Sequence, residues 1–215
     1  MLWVPGIRMC DGIAADYAEK QKYLKFTHNF DDDILSASRN MAKRYRCNTS
    51  HGQKIENYAL QIFDAMKKFH GLGTRERLLL QIASILHVCG KFISLRDSSA
   101  CAYNIIMATE IIGLSHAERE IVAEVVRCNL DAFRYGEGSI RAGKLTAMLR
   151  LANAMDRSHH GRLDDGKLQV KGNKLIISTS YAGNLALETM AVEDKADFFE
   201  EMFGIRPEIR QKRRV

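Results

Sequence analysis

Only two prolines, Pro5 and Pro207, and a single tryptophan occur among the 215 residues. So few helix breakers leave little of the chain suited to extended linkers and permit long uninterrupted helices. No apolar run approaches the roughly 20 residues of a membrane-spanning helix, so no membrane partner is expected. The start, Met1-Leu2-Trp3-Val4-Pro5-Gly6, lacks the basic head and long apolar core of a secretory signal, and a cytoplasmic protein is the expectation. The five cysteines, Cys10, Cys47, Cys89, Cys101 and Cys128, are odd in number and never form a Cys-x-x-Cys pair. That pattern argues against a disulfide framework and a zinc knuckle, and for reduced core thiols. A glycine-rich phosphate loop and a paired-carboxylate cluster are missing too. Asp31-Asp32-Asp33 reads as a helix N-terminus, where acidic residues suit the dipole.

What is present is an ordinary globular composition, 46% hydrophobic and 27% charged, with a formal net charge of +6. The excess of cations favours an anionic partner. Much of it is terminal, since Arg206, Arg210, Lys212, Arg213 and Arg214 crowd the end of the chain.

From about residue 31 to 157 the apolar residues recur at helical spacing. Ile55, Ala59, Ile62, Phe63, Met66 and Phe69 form one stripe, ended by Gly71 and Gly73. Leu78, Leu79, Ile82, Ile85 and Leu86 form the next. Others run from Ile105 to Ile112, from Ile121 to Val126 and from Leu145 to Ala152. Thr74, Ser115 and Ser139 precede three stripes as candidate N-caps, and Ser115 with Glu118 fits a capping box. After Asp156 the period changes. Leu168-Gln169-Val170 and Leu175-Ile176-Ile177 flank Lys171-Gly172-Asn173-Lys174, a hairpin signature. Leu185 to Glu188 reads as a third strand, Lys195 to Phe203 as a helix stopped at Gly204, and Pro207 to Arg210 as a return to the sheet. Near the start, Met1 to Val4 reads as a strand and Ile13 to Tyr23 as a helix. The fold expected is mainly α: a helical unit over 24–160 and a small α/β unit, antiparallel sheet plus helix, over 161–215, with 1–23 belonging to neither.

His51, His87 and Asp156 each lie on or beside a helical stripe, so a bundle can bring them to one point. Histidine and carboxylate ligands from separate helices build divalent-metal sites that activate water. Three segments carry a family resemblance: Thr49-Ser50-His51-Gly52-Gln53, Ile85 to Ser94 around Leu86-His87-Val88-Cys89-Gly90, and Leu149 to Ser158 around Asn153-Ala154-Met155-Asp156-Arg157. Together they resemble the C-terminal half of exopolyphosphatases and guanosine pentaphosphate phosphatases, the Ppx/GppA family. Gly6 to Ile13 is similar to the tail of the preceding phosphatase domain.

The resemblance implies an HD-like helical domain followed by a small α/β domain, with the phosphoanhydride-cleaving site in N-terminal actin-like domains that this chain lacks. It also implies a degenerate HD-like site. Val88 stands where an aspartate would follow the second histidine, and a later histidine is replaced near Asn129. With His51, His87 and Asp156 alone, about half of an octahedral sphere is left to water. No cofactor is therefore expected, beyond at most a weakly held divalent metal on those three residues. Cys89 and the His159-His160 pair are conceivable substitute ligands, although a surface turn with Gly161 is the plainer account of the pair.

Anion binding survives loss of the metal, because long phosphate chains need repeated cationic contacts. Lys91, Arg96, Arg127, Arg134, Arg150 and Arg157 are the candidates. Three readings follow: a polyphosphate-binding and homodimerising module without turnover that works with the missing phosphatase domains, a degenerate HD-type metal-dependent phosphohydrolase, and a purely structural interaction domain.

Overall fold

A computed structural model describes residues 9–21, 23, 30–47, 49–131, 133 and 139–211. The strand read at Met1 to Val4, Arg134 and the basic residues Lys212 to Arg214 lie outside them.

The apolar stripes become helices that bury them. α1 (Met9–Lys20) begins four residues earlier than the pattern suggests and buries none of its residues. α2 (Phe30–Arg44) opens with Asp31, Asp32 and Asp33 in its first turn and buries Ile34, Ser38, Met41 and Ala42, the charge placement that its dipole favours. α3 (Thr49–Ala65) and α5 (Thr74–Leu86) pack together, separated by the short α4 (Lys67–His70). Gly71 ends α4 in the left-handed conformation, φ 64°, where a side chain would be strained.

A 3-10 turn, Cys89–Phe92, leads to α6 (Ser98–Ala108), which pairs with α7 (His116–Leu130); α8 (Ile140–Met155) lies against α3 and α7. The Ser115 capping box forms: Ser115 Oγ accepts the Glu118 N–H at 3.3 Å, and Glu118 Oε2 accepts the Ser115 N–H at 2.8 Å. Ser139 caps α8 by accepting the Ala142 N–H at 3.1 Å. Thr74 is not a cap but the first residue of α5. Gly73 holds the cap position, its N–H donating to Glu76 Oε2 at 2.8 Å. The α6 stripe also ends early, at Ala108, and leaves Ile112 exposed.

β1 (Lys167–Lys171) and β2 (Lys174–Thr179) form the anticipated hairpin through Gly172-Asn173, with Leu168 opposite Ile177 and Val170 opposite Leu175. Leu185 to Glu188 is not a strand. Leu185 caps α9 (Ala186–Phe203), and the Asn184 side chain accepts the Ala186 N–H at 2.7 Å. The buried positions Leu185, Glu188, Val192, Ala196 and Phe199 follow the helical period, which a four-residue window cannot distinguish from alternation. The third strand is β3 (Arg206–Gln211), and it pairs with β2 in parallel, not antiparallel, because the α9 crossover reverses the chain between them. α9 packs on both α8 and β3, so a continuous core runs from Leu79 and Leu149 of the helices to Leu175, Ile177 and Phe199. No described helix is long and apolar enough to cross a membrane.

Candidate functional site

His51 lies in the first turn of α3, His87 immediately after the last turn of α5, and Asp156 at the C-terminal cap of α8. Packing of α3 against α5 and α8 brings the three helix ends together. All three side chains are buried, with exposures of 7%, 1% and 1%. The His51 and His87 ring centres are 5.4 Å apart.

Asp156 is held from two sides. Its Oδ2 accepts the His51 Nδ1–H at 2.8 Å, and its Oδ1 accepts the Gly161 N–H at 2.9 Å. Burial raises the carboxyl's pKa, but these hydrogen bonds and the nearby Lys54 more than offset it, so Asp156 ends below the ordinary carboxylate value. The carboxylate thus orients His51 and selects the tautomer that carries its lone pair on Nε2. His87 is set the same way: its Nδ1–H donates to Ser84 O at 2.7 Å. Its Nε2 is buried and has no hydrogen-bond partner among the described residues. Burial pushes the His87 pKa down to about 4, with the Ser84 bond too weak to restore it, so the ring is neutral at physiological pH.

A fourth group joins the cluster. His159 sits in the turn after α8 with φ 59°, a left-handed residue that is not glycine, and its ring centre is 3.9 Å from that of His51. Ligand atoms of His51, Asp156 and His159 all lie within 4.8 Å of one another. Burial, then the neighbouring His51, lower the His159 pKa as well. His160 points elsewhere and bonds Ser158 O. Cys89 is fully buried, and burial pushes its thiol up to about 12, so it offers no thiolate.

Above the cluster opens a cavity of about 320 Å³ whose lining includes Arg46, Val88, Lys91, Phe92, His51 and His159. Val88 lines it as a half-buried apolar side chain. The donors fit a borderline transition metal better than magnesium or calcium: up to three imidazoles, and a carboxylate already accepting two hydrogen bonds. The charges at the mouth, Lys91 and Arg46, suit an anion. Chemically, the arrangement offers a carboxylate-oriented imidazole, nitrogen donors for a borderline cation, and a cationic rim.

The remaining candidates are dispersed. Arg96 is exposed. Arg127 is paired with Glu124 at 2.8 Å and lies over the Tyr103 ring. Arg150 donates to the carbonyls of Cys128 and Asp131 and stacks on Phe198, so it anchors the ends of α7 and α9 to α8. Arg157 is exposed on the other side of the Asp156 cap, against a second cavity. Of the five candidate cations among the described residues, Lys91, Arg96, Arg127, Arg150 and Arg157, only Lys91 lines the cavity above the histidines. Arg46 was not among them. It follows no motif, and its left-handed backbone, φ 48°, has no local signature. His159 was legible as a residue beside Asp156 but not as a member of the cluster, because only the turn conformation aims it there.

Residues 35–194 match the Ppx/GppA phosphatase, domain III, family. A relative from Photobacterium profundum, named guanosine-5'-triphosphate,3'-diphosphate pyrophosphatase, is 24% identical over 157 residues, covering 70% of this chain. The chain spans about a third of that relative, 32% of its length. With the matched segment embracing His51, His87 and Asp156 and most of the helical fold, the chain belongs to the Ppx/GppA phosphatase family, through its domain III.

Proposed function

We propose that this chain is the C-terminal module of a Ppx/GppA-type phosphatase and that it binds a phosphate-rich anion, such as polyphosphate, without hydrolysing it alone. The supporting observation is the cavity above His51: its rim carries Lys91 and Arg46, its lining includes the His51 and His159 rings, and Val88 adds no negative charge to repel phosphate oxygens. The relative's name adds guanosine 5'-triphosphate 3'-diphosphate as a second anion of the same kind. α1, none of whose residues is buried, exposes Ile13 and Tyr17, which supports contact with a second copy or with catalytic domains.

Calorimetric titration with polyphosphate at low and high salt tests this reading. Affinity that falls steeply with salt and drops in Lys91→Ala and Arg46→Ala is the expected result. No binding at low salt refutes it. Light scattering tests self-association.

A degenerate metal-dependent phosphohydrolase is the second reading, favoured by the partnerless His87 Nε2. A divalent ion held by His51, His87, His159 and Asp156 would supply Lewis acidity toward water or a phosphoryl oxygen. Stoichiometric metal in the purified protein, lost together with phosphatase activity in His87→Ala, would replace the first reading with this one.

A further inference from the structure

A second polar pocket, of about 210 Å³, lies where the end of α7 meets α8 and α9, and none of its residues lines the cavity above His51. Its innermost polar side chain is Asn129, only 6% exposed, whose Oδ1 and Nδ2 are both buried without a hydrogen-bond partner among the described residues. Leaving both ends of a buried amide unpaired is costly, and native structures avoid it unless water or a ligand supplies the partners. Arg157, with no side-chain partner among the described residues, and Lys195 stand at the pocket's edge, and Asn153 adds another amide. Arg150 also lines it, held in place by the Cys128 and Asp131 carbonyls, while Asp194 is its single carboxylate and is ion-paired to Lys195 at 2.6 Å. The lining therefore carries three cations against one anion.

We infer that this pocket is a site for a small tetrahedral oxyanion that carries a hydroxyl, namely hydrogen phosphate. The cations hold the charge, and bidentate guanidinium geometry matches two oxygens of such an ion. Asn129 sets the chemistry further. Its Nδ2–H donates to a phosphate oxygen, whereas its Oδ1 needs a donor, which a P–OH group provides and a sulfate at neutral pH does not. The volume of about 210 Å³ has room for one phosphate group with accompanying waters. The site is independent of the anion reading for the His51 cavity and stands or falls separately.

Inorganic phosphate, glycerol phosphate and sulfate are titrated in separate arms into the full ¹⁵N-labelled chain at constant ionic strength. Saturable shifts of the Asn129 side-chain NH2 and Arg157 Nε–H signals by inorganic phosphate are expected, with sulfate and the monoester dianion, neither of which carries a hydroxyl on the charged group above pH 7, weaker by about five-fold, the worth of one neutral hydrogen bond. In Asn129→Leu that preference disappears, and in Arg157→Ala, an exposed position unable to unsettle the core, affinity for all three anions falls about tenfold, as loss of one charge-assisted contact predicts. The inference is overturned if inorganic phosphate does not move these two signals, if shifts cluster only around Lys91 and His159, or if Arg157→Ala binds as tightly as the parent. Sulfate binding equal to phosphate overturns the role given to Asn129 Oδ1 and, with it, the hydroxyl-bearing class.

Discussion

Replacing His87 by leucine separates a structural histidine from a ligand. In the folded chain the ring buries Nε2 with no partner among the described residues, which costs about 1–3 kcal/mol, while its Nδ1–H bond to Ser84 O returns about 0.5–1.5 kcal/mol. A leucine of similar volume removes both terms and adds apolar burial in a site that is 1% exposed. The Ser84 carbonyl, near the end of α5, loses a donor, so part of the gain is given back. The net expectation is stabilisation of about 1–2 kcal/mol. For a chain of this length that raises Tm by roughly 3–6 °C. Urea and thermal unfolding of the parent and His87→Leu are compared in chelator, so that no metal contributes by mass action. A leucine variant destabilised by about 1 kcal/mol or more under those conditions would refute the reasoning, because it would mean that Nε2 has a strong partner within the chain.

Other perturbations test the frame around the site. Glu118, which accepts two hydrogen bonds from Arg75 and caps α7, is held at a pKa of about 2 by Arg75 first. Its folded value lies below its unfolded one, so its contribution is complete above pH 4.5 and is lost as pH falls toward 2. Glu118→Gln should cost about 1–2 kcal/mol at pH 7 after allowance for solvent screening, and flatten the acid limb of a stability–pH curve. His70 is buried and neutral, its Nε2–H donating to Phe63 O at 3.0 Å and its Nδ1 accepting the Leu72 N–H at 2.8 Å. Burial lowers its pKa, so the unfolded chain takes up the proton first and stability should decline below pH 6.5; a His70→Gln variant that keeps the same slope there would exclude this group. Gly90 has no room for a side chain, since a Cβ would fall 1.8 Å from Ser98 O and 2.6 Å from Ala102 N, both backbone atoms. Gly90→Ala should therefore force α6 away from the His87 turn and cost about 3 kcal/mol or more in urea unfolding.

Much of the fold was written locally. Apolar period placed α3, α5, α7 and α8 to within a few residues, and Ser115, Ser139, Gly71 and Gly204 marked ends that the backbone respects, because caps and left-handed glycines act within one turn. The hairpin through Gly172-Asn173 was equally legible. Where reading failed, the competing forces were longer in range. Leu185 to Glu188 looked like a strand because four residues cannot show a 3.6 period, and burial of Glu188 near Arg162 at 3.5 Å is a tertiary event. Parallel pairing of β3 followed from the path of α9, not from any residue in the strand.

For the site, sequence alone determined which side chains had the chemistry: His51, His87 and Asp156 in helix-end positions, with an uncharged valine at 88. Tertiary structure decided that these helix ends meet, that Asp156 accepts from His51 and Gly161, and that the exposed His159 and Arg46 line the same cavity. It also drew Arg127 and Arg150 into internal contacts and assembled the Asn129 pocket from three helices. A residue's donors and charge are intrinsic, whereas its partners depend on packing between segments far apart in the chain, and no local pattern encodes that convergence.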